Sequence, residues 1–202
     1  MTVFRARAFG LCVMFVCFTW GTVFAAQNDS TKSSAAPVVK LETSLGDIFV
    51  RLDERKAPIS TANFIQYVKS GHYDGTIFHR VIKSFMIQGG GFTPEMKQRP
   101  SRAAIRNEAD NGLKNQKYAI AMARTNDPHS ATAQFFINTK DNAFLDFRSQ
   151  TSQGWGYAVF GKVIKGQDVV DKIESISTGQ RGPYDDVPVT PVIIKKAVPA
   201  TE

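Results

Sequence analysis

Apolar and polar positions alternate with period two along several short stretches of this chain, most clearly between Ile77 and Gly91. There Ile77-Phe78-His79-Arg80-Val81-Ile82 and Phe85-Met86-Ile87-Gln88 flank a Lys83-Ser84 break, and Gly89-Gly90-Gly91 closes the segment. The pattern predicts strand, turn, strand. Strict alternation puts Phe78, Arg80 and Ile82 on one face and Ile77, His79 and Val81 on the other. In the second run Met86 and Gln88 share a face, opposite Phe85 and Ile87. An arginine set among apolar strand neighbours is unusual, because arginine is seldom buried without a partner. Arg80 is the candidate working group.

The rest of the chain reads as short strands and two helices. Val38–Leu41 and Ile48–Leu52 are apolar runs around Thr43-Ser44-Leu45-Gly46-Asp47, which predicts a hairpin. From Pro58 to Ser70, helical spacing of Ile59, Ala62, Phe64, Ile65 and Val68 predicts a helix, with Pro58 at its start and Gly71 just past its end. Residues 92–117 are rich in proline, asparagine, glycine and charge, which predicts a long surface excursion. Tyr118–Ala123 and Gln134–Asn138 are strand candidates around a polar loop, and Trp155–Val163 is another. Asp168–Ile176 has helical spacing at Val169, Val170, Ile173 and Ile176, and Pro191–Val198 is a final apolar strand. Short strands with frequent glycine punctuation predict a mainly β, closed antiparallel barrel with two helices.

Composition changes the reading of the N-terminal end more than that of the middle. Arg5 and Arg7 precede an apolar run from Ala8 to Trp20, and Val23-Phe24-Ala25 fits a small-residue cleavage signal. The run is short for a membrane span, so a secretory signal cut after Ala25 is expected rather than an uncleaved anchor. Residues 26–37 read as a flexible polar leader and 38–199 as one domain. Loss of the first 25 residues, with two arginines and no acid, leaves 177 residues and lowers the formal charge from +7 to +5. Both cysteines, Cys12 and Cys17, go with that segment, which leaves no disulfide, thiolate nucleophile or cysteine metal site. No later apolar run is long enough to span a membrane. The basic loop residues Lys97, Arg99, Arg102 and Arg106 have no interleaved aromatics for base stacking, so nucleic acid is not an expected partner.

Conventional catalytic patterns are missing. His72, His79 and His129 sit in unlike contexts without metal-ligand spacing, and neither a metal nor a cofactor is expected. His79 reads as a hydrogen-bonded structural histidine pointing away from Arg80. The triple glycine lacks the Gly-Lys-Ser/Thr ending of a phosphate loop, so it reads as tight backbone geometry after a strand. No Gly-x-Ser-x-Gly nucleophile elbow is present. A second alternating strand, Gln134-Phe135-Phe136-Ile137-Asn138, puts Gln134 and Phe136 on one face. Were the faces of Arg80 and Phe136 to meet, they would enclose an aromatic pocket rimmed by one cation and two amides. Periodicity leaves open whether Phe136 and Met86 line that pocket or belong to the core.

Phe78-His79-Arg80-Val81-Ile82 through Phe85-Met86-Ile87-Gln88-Gly89-Gly90 is followed by Ala121-Met122-Ala123 and by Gln134-Phe135-Phe136-Ile137. Phe144-Leu145-Asp146 and Val159-Phe160-Gly161-Lys162-Val163 complete the set. In this order and spacing the chain resembles the cyclophilin family of peptidyl-prolyl cis-trans isomerases, from about Val38 to Val198. Ala119–Asn138 and the signal sequence resemble its periplasmic members from Gram-negative bacteria. The resemblance implies an eight-stranded antiparallel barrel capped by two helices.

By motif position the resemblance makes Arg80 the catalytic arginine and puts Phe85, Met86, Phe136 and Leu145 in the proline pocket. Gln88 and Gln134 become polar site groups, with Ala123 and Arg124 in the strand edge that holds the peptide backbone. Phe144, Tyr157 and Arg124 stand where well-known eukaryotic members have Trp, His and Asn. These changes leave isomerase activity expected, while the missing indole donor speaks against tight cyclosporin binding. The implied partners are proline-containing unfolded or exported polypeptides met in the periplasm. Nothing in the sequence suggests an interface, so a monomer is the default expectation. The alternative is a proline-peptide binding chaperone without essential turnover.

Overall fold

The computed structural model describes residues 36–201. The expected cleaved segment and all but the last two residues of the expected leader lie outside the described residues. β1 (Val38–Thr43) and β2 (Gly46–Leu52) form the expected hairpin, in register from Val38 against Arg51 to Thr43 against Gly46. α1 (Pro58–Lys69) follows, then β3 (Thr76–Ile82), β4 (Met86–Gly89), β5 (Ala119–Met122) and β6 (Phe135–Asn138). β7 (Val159–Lys165), α2 (Gln167–Glu174), β8 (Thr178–Arg181), β9 (Tyr184–Pro188) and β10 (Val192–Ala200) complete the chain. Eight strands close an antiparallel barrel in the order β1-β10-β3-β4-β6-β5-β7-β2, and β8 and β9 form a separate hairpin. Closure removes every exposed sheet edge from the barrel.

The two helices cap the barrel by inserting apolar side chains into its core. Phe64 of α1 meets Tyr73, Phe135 and Phe160 at ring separations of 5.1, 5.5 and 5.2 Å. Val169, Val170 and Ile173 of α2 join the same core, as their spacing predicts. The buried face of α1 differs from the predicted one. Ser60, Thr61, Asn63, Phe64, Tyr67 and Val68 are buried, while Ile59 and Ala62 face outward. The 92–117 excursion turns the helix this way. The Glu108 carboxylate accepts from the Ile59 and Ser60 amides at 3.0 and 2.7 Å, supplying the cap that Ala57 cannot.

Residues 92–117 are thus less superficial than predicted, with Asn107, Glu108 and Asn115 all buried. Three of the basic side chains in this excursion bond within the chain. Arg99 donates to the carbonyls of His72 and Asp74, Arg102 to Gln66, and Arg106 pairs with Asp110. The strand predicted from Trp155 begins only at Val159. Gly156 takes a φ of 65°, and a Cβ there would lie 2.5 Å from the Leu145 carbonyl, so Trp155–Ala158 packs as a loop.

Candidate active site

Two apolar clusters form on opposite sides of the sheet that carries β3, β4, β6 and β5. The inner one is the barrel core, with Phe78, Val81, Ile87, Ile120, Phe135 and Ile137. The outer one contains Met86, Ala119, Ala121, Phe136, Leu145 and Val159, bordered by Ile82, Phe85, Ala123 and Tyr157. Period-two alternation along β4 and β6 produces this division, as predicted for Met86, Ile87 and Phe136. Phe85, expected on the face of Ile87, instead precedes β4 and borders the outer cluster with Met86. Met86 and Phe136 therefore lie in an outer cluster separate from the barrel core.

Strict alternation fails in β3. Phe78 pairs with Gly89 but Arg80 pairs with Gln88, so His79 is one residue too many for β4 to match. This bulge flips the parity. Phe78 and Val81 point into the barrel core, whereas Arg80 and Ile82 stay on the outer side. The predicted pairing of Phe78 with Arg80 on one face, and of Ile77 with Val81 on the other, is therefore corrected. His79 is buried against Phe92, with ring centroids 4.6 Å apart, and its Nδ1 has no hydrogen-bond partner. Burial, reinforced by the neighbouring Arg80 charge, pushes its pKa down from the ordinary 6.5 to about 4. A neutral ring of this kind does not shuttle protons at neutral pH.

Strand register then lines up one row across the outer face. Arg80 is opposite Gln88, Gln88 opposite Phe136, and Phe136 opposite Ala121. Directly opposed residues share a face with Cβ atoms about 4.5–5.5 Å apart. A cation, an amide, an aromatic ring and a methyl group therefore sit side by side on four adjoining strands. Gln88 Nε2 donates to Gln134 Oε1 at 2.9 Å, which joins the two predicted amides. The triple glycine makes room for them. Gly90 takes a φ of 83°, and a Cβ on Gly91 would lie 2.6 Å from the Gln134 side chain.

The remaining predicted residues gather on the same side. Phe85 borders the outer cluster and stacks on Phe144 at 5.6 Å, and Phe144, next to Leu145 in sequence, is 61% exposed. Tyr157 meets Phe136 edge-on at 5.5 Å. The Arg124 guanidinium lies 4.5 Å over the Tyr157 ring and donates through Nε to the Gly156 carbonyl at 2.9 Å. Ala123 continues β5, its amide bonded to the Gln134 carbonyl at 3.0 Å. The eleven predicted site residues thus lie on the outer side of the sheet or are joined to it by these contacts.

Sequence reasoning missed the layer that supports them. Asn142 Nδ2 donates to the Phe85 carbonyl at 2.9 Å and to Asn138 Oδ1 at 2.7 Å. Asn138 Nδ2 in turn reaches Asn115 Oδ1, and Asn115 Nδ2 donates to the Leu145 carbonyl. These buried amides tie Phe85 and Leu145 to β6. Three asparagines from separate segments leave no periodic signal, though asparagine in a strand, as at Asn138, is itself unusual.

The chain is similar to known proteins in sequence and in fold. Residues 38–198 match the model of the cyclophilin type peptidyl-prolyl cis-trans isomerase family. The chain is 64% identical over 159 residues to peptidyl-prolyl cis-trans isomerase cyp18 of Streptomyces antibioticus, covering 79% of this chain and 96% of the relative. It is 54% identical to isomerase B of Escherichia coli, covering 78% of this chain and 96% of that one. Identity to isomerase A of Dickeya dadantii is 55%, over 79% of this chain and 82% of the relative. A cyclophilin of Cryptosporidium parvum, solved in the presence of the dipeptide Ala-Pro, superposes with a TM-score of 0.70 at 27% identity, covering 82% of this chain and 99% of its own. Barrel and sequence agree, and the chain belongs to the cyclophilin family of peptidyl-prolyl cis-trans isomerases.

Proposed function

We propose that this isomerase accelerates X-Pro rotation without covalent chemistry, by aiming the Arg80 guanidinium at the prolyl nitrogen of a twisted amide. The observation that carries this reading is the row Arg80–Gln88–Phe136–Ala121 beside the outer apolar cluster. Rotation about a peptide bond faces a barrier of roughly 18–20 kcal/mol. A 10⁴-fold acceleration requires only about 5.4 kcal/mol of selective transition-state binding. No bond breaks, so neither a nucleophile nor a proton carrier is needed.

Twisting removes amide resonance and returns the lone pair to the prolyl nitrogen. A cation beside that nitrogen binds the twisted form better than either planar ground state, which is the condition for catalysis. Met86, Phe136 and Leu145 offer the proline ring an apolar seat, with Phe85, Phe144 and Tyr157 at its rim. Gln88 and Gln134 hold the carbonyl side, and Ala123 and Arg124 border the peptide backbone. Exclusion of water by the seated ring strengthens the Arg80 contact.

The substrates on this reading are proline-containing polypeptides. The Ala-Pro dipeptide present with the Cryptosporidium relative makes a short proline peptide the natural probe. Exchange NMR on an Ala-Pro peptide tests it: catalytic amounts of protein speed cis/trans exchange well beyond the uncatalysed tens to hundreds of seconds. Binding without faster exchange would favour the chaperone alternative. The pattern of residues 1–25 supports export to the periplasm by a cleaved signal, with 38–199 as the isomerase domain acting on exported chains. N-terminal sequencing of the periplasmic protein is expected to begin at Ala26, and retention of Met1 on a membrane-bound chain would refute cleavage.

A further inference from the structure

Arg80 has an anionic neighbour that the site so far described does not use. Asp186 Oδ2 lies 3.7 Å from Arg80 Nε, and both side chains are partly exposed, 39% and 45%. Asp186 belongs to β9, whose hairpin with β8 lies against β3. Two irregularities bring the pair together. On β3, the extra residue His79 turns Arg80 outward. On β9, the pairing passes from Val187 with Gly179 to Tyr184 with Arg181, so Asp185 and Asp186 together face Gln180. At this second bulge Asp186 takes a φ of 60°. Among residues with side chains, aspartate and asparagine tolerate that conformation best. Bulges beside active sites commonly re-aim a side chain.

The hairpin that carries Asp186 is fastened to the same wall as Arg80. Tyr184 packs on Phe92 at 5.2 Å, and Phe92 packs on His79 at 4.6 Å. Arg181 Nη1 donates to the Pro94 carbonyl at 2.5 Å, and Val187 is buried. A free surface ion pair must order two long side chains and is weak for that reason. Here the short aspartate is fixed by its backbone, which leaves only the arginine to order.

We propose that Asp186 is a positioning residue for the isomerisation, holding Arg80 from its Nε side so that both terminal guanidinium nitrogens stay free for the prolyl amide. The proposal rests on the assignment of Arg80 made above. An arginine presents five N–H donors. An ion pair of 3.7 Å on the Nε side, too long for a hydrogen bond, draws on charge and leaves the four donors of its far end uncommitted. Ordering the side chain before substrate arrives removes that ordering from the rate-limiting twist. The effect belongs in kcat rather than KM, because the apolar seat and not the arginine anchors the ring.

Asp186→Asn keeps the side-chain shape and the tolerance for positive φ, while Asp186→Gly removes the side chain and relieves the backbone. Each is measured with an uncharged X-Pro peptide at low and high salt, alone and combined with Arg80→Ala. Both single variants are expected to lose about two- to five-fold in kcat, with KM unchanged, the range open to an exposed ion pair. Wild-type kcat is expected to fall toward theirs as salt screens the pair, while theirs stays flat. In the Arg80→Ala background, Asp186→Asn is expected to change nothing further. Wild-type kcat and salt response in both Asp186 variants, with Arg80→Ala inactive, would overturn the proposal and leave the Arg80 mechanism standing. An equal loss from Asp186→Asn in the Arg80→Ala background would also overturn it. Full activity in Arg80→Ala itself would refute the assignment of Arg80 and this proposal with it.

Discussion

Arg80→Ala is expected to lower kcat/KM by about 10²–10³, the usual loss when one preorganised donor is removed from a developing charge. The loss is expected in kcat, since the proline ring keeps its seat among Met86, Phe136 and Leu145. The fold is expected to survive. The Arg80 side chain is 45% exposed and its ion pair with Asp186 spans 3.7 Å, so truncation strands no buried charge. Arg80→Lys separates charge from shape. Lysine keeps the cation but loses the planar fork and its direction, so an intermediate rate is expected. A protease-coupled X-Pro peptide assay, with the far-ultraviolet spectrum as the check on folding, reads all three proteins. A folded Arg80→Ala within two-fold of wild type would remove Arg80 from the mechanism.

The site is built on the outside of a barrel whose inside is a solid core. One sheet therefore does two jobs through alternation, with Ile87, Phe135 and Ile137 filling the interior and Met86, Gln88 and Phe136 on the outer face where the proposed site lies. A row that crosses four hydrogen-bonded strands is hard to deform, which suits a mechanism that depends on aim. The buried amides of Asn115, Asn138 and Asn142 extend that rigidity to Phe85 and Leu145.

What the sequence made legible follows from how local each signal is. β4 and β6 are short and regular, so alternation alone sorted Met86, Gln88 and Phe136 from their inward neighbours. β3 carries a bulge, and a one-residue insertion shows only in the register of the partner strand. Strict alternation therefore keeps Arg80 with Ile82, as the structure does, but wrongly puts Phe78 on their face. The buried face of α1 was misread because Glu108, 48 residues from Ser60, holds its first turn. The β8–β9 hairpin escaped detection because Thr178–Arg181 is exposed throughout and shows no apolar alternation. Gly182-Pro183 was its one local signal, a turn dipeptide between two short runs. The choice between core stripe and pocket could not be made from periodicity, since both readings require the same alternation. Family resemblance made that choice, and the separate outer cluster agrees with it.

Stability is expected to fall by about 3 kcal/mol between neutral pH and pH 4 through His79 alone. The ring is 5% exposed and faces Phe92, with the Arg80 charge next in sequence, and its pKa is pushed from 6.5 to about 4. For a histidine with a depressed folded pKa, the unfolded chain takes up a proton that the folded chain refuses. Above pH 6.5 neither state is protonated and the ring costs nothing. As pH falls from 6.5 toward 4 the unfolded state gains protons and native stability declines. Below about 4 both states are protonated and this contribution levels off. His72, also pushed down mainly by burial, acts with the same sign. His79→Phe keeps an aromatic ring against Phe92 and removes the proton, so it isolates the His79 share. Urea unfolding of both proteins from pH 7.5 to 4 is expected to show their stability difference shift by about 3 kcal/mol in favour of the variant. Parallel stability curves across that range would mean that the buried ring is protonated or hydrated without penalty. The same proton would set a second cation beside Arg80.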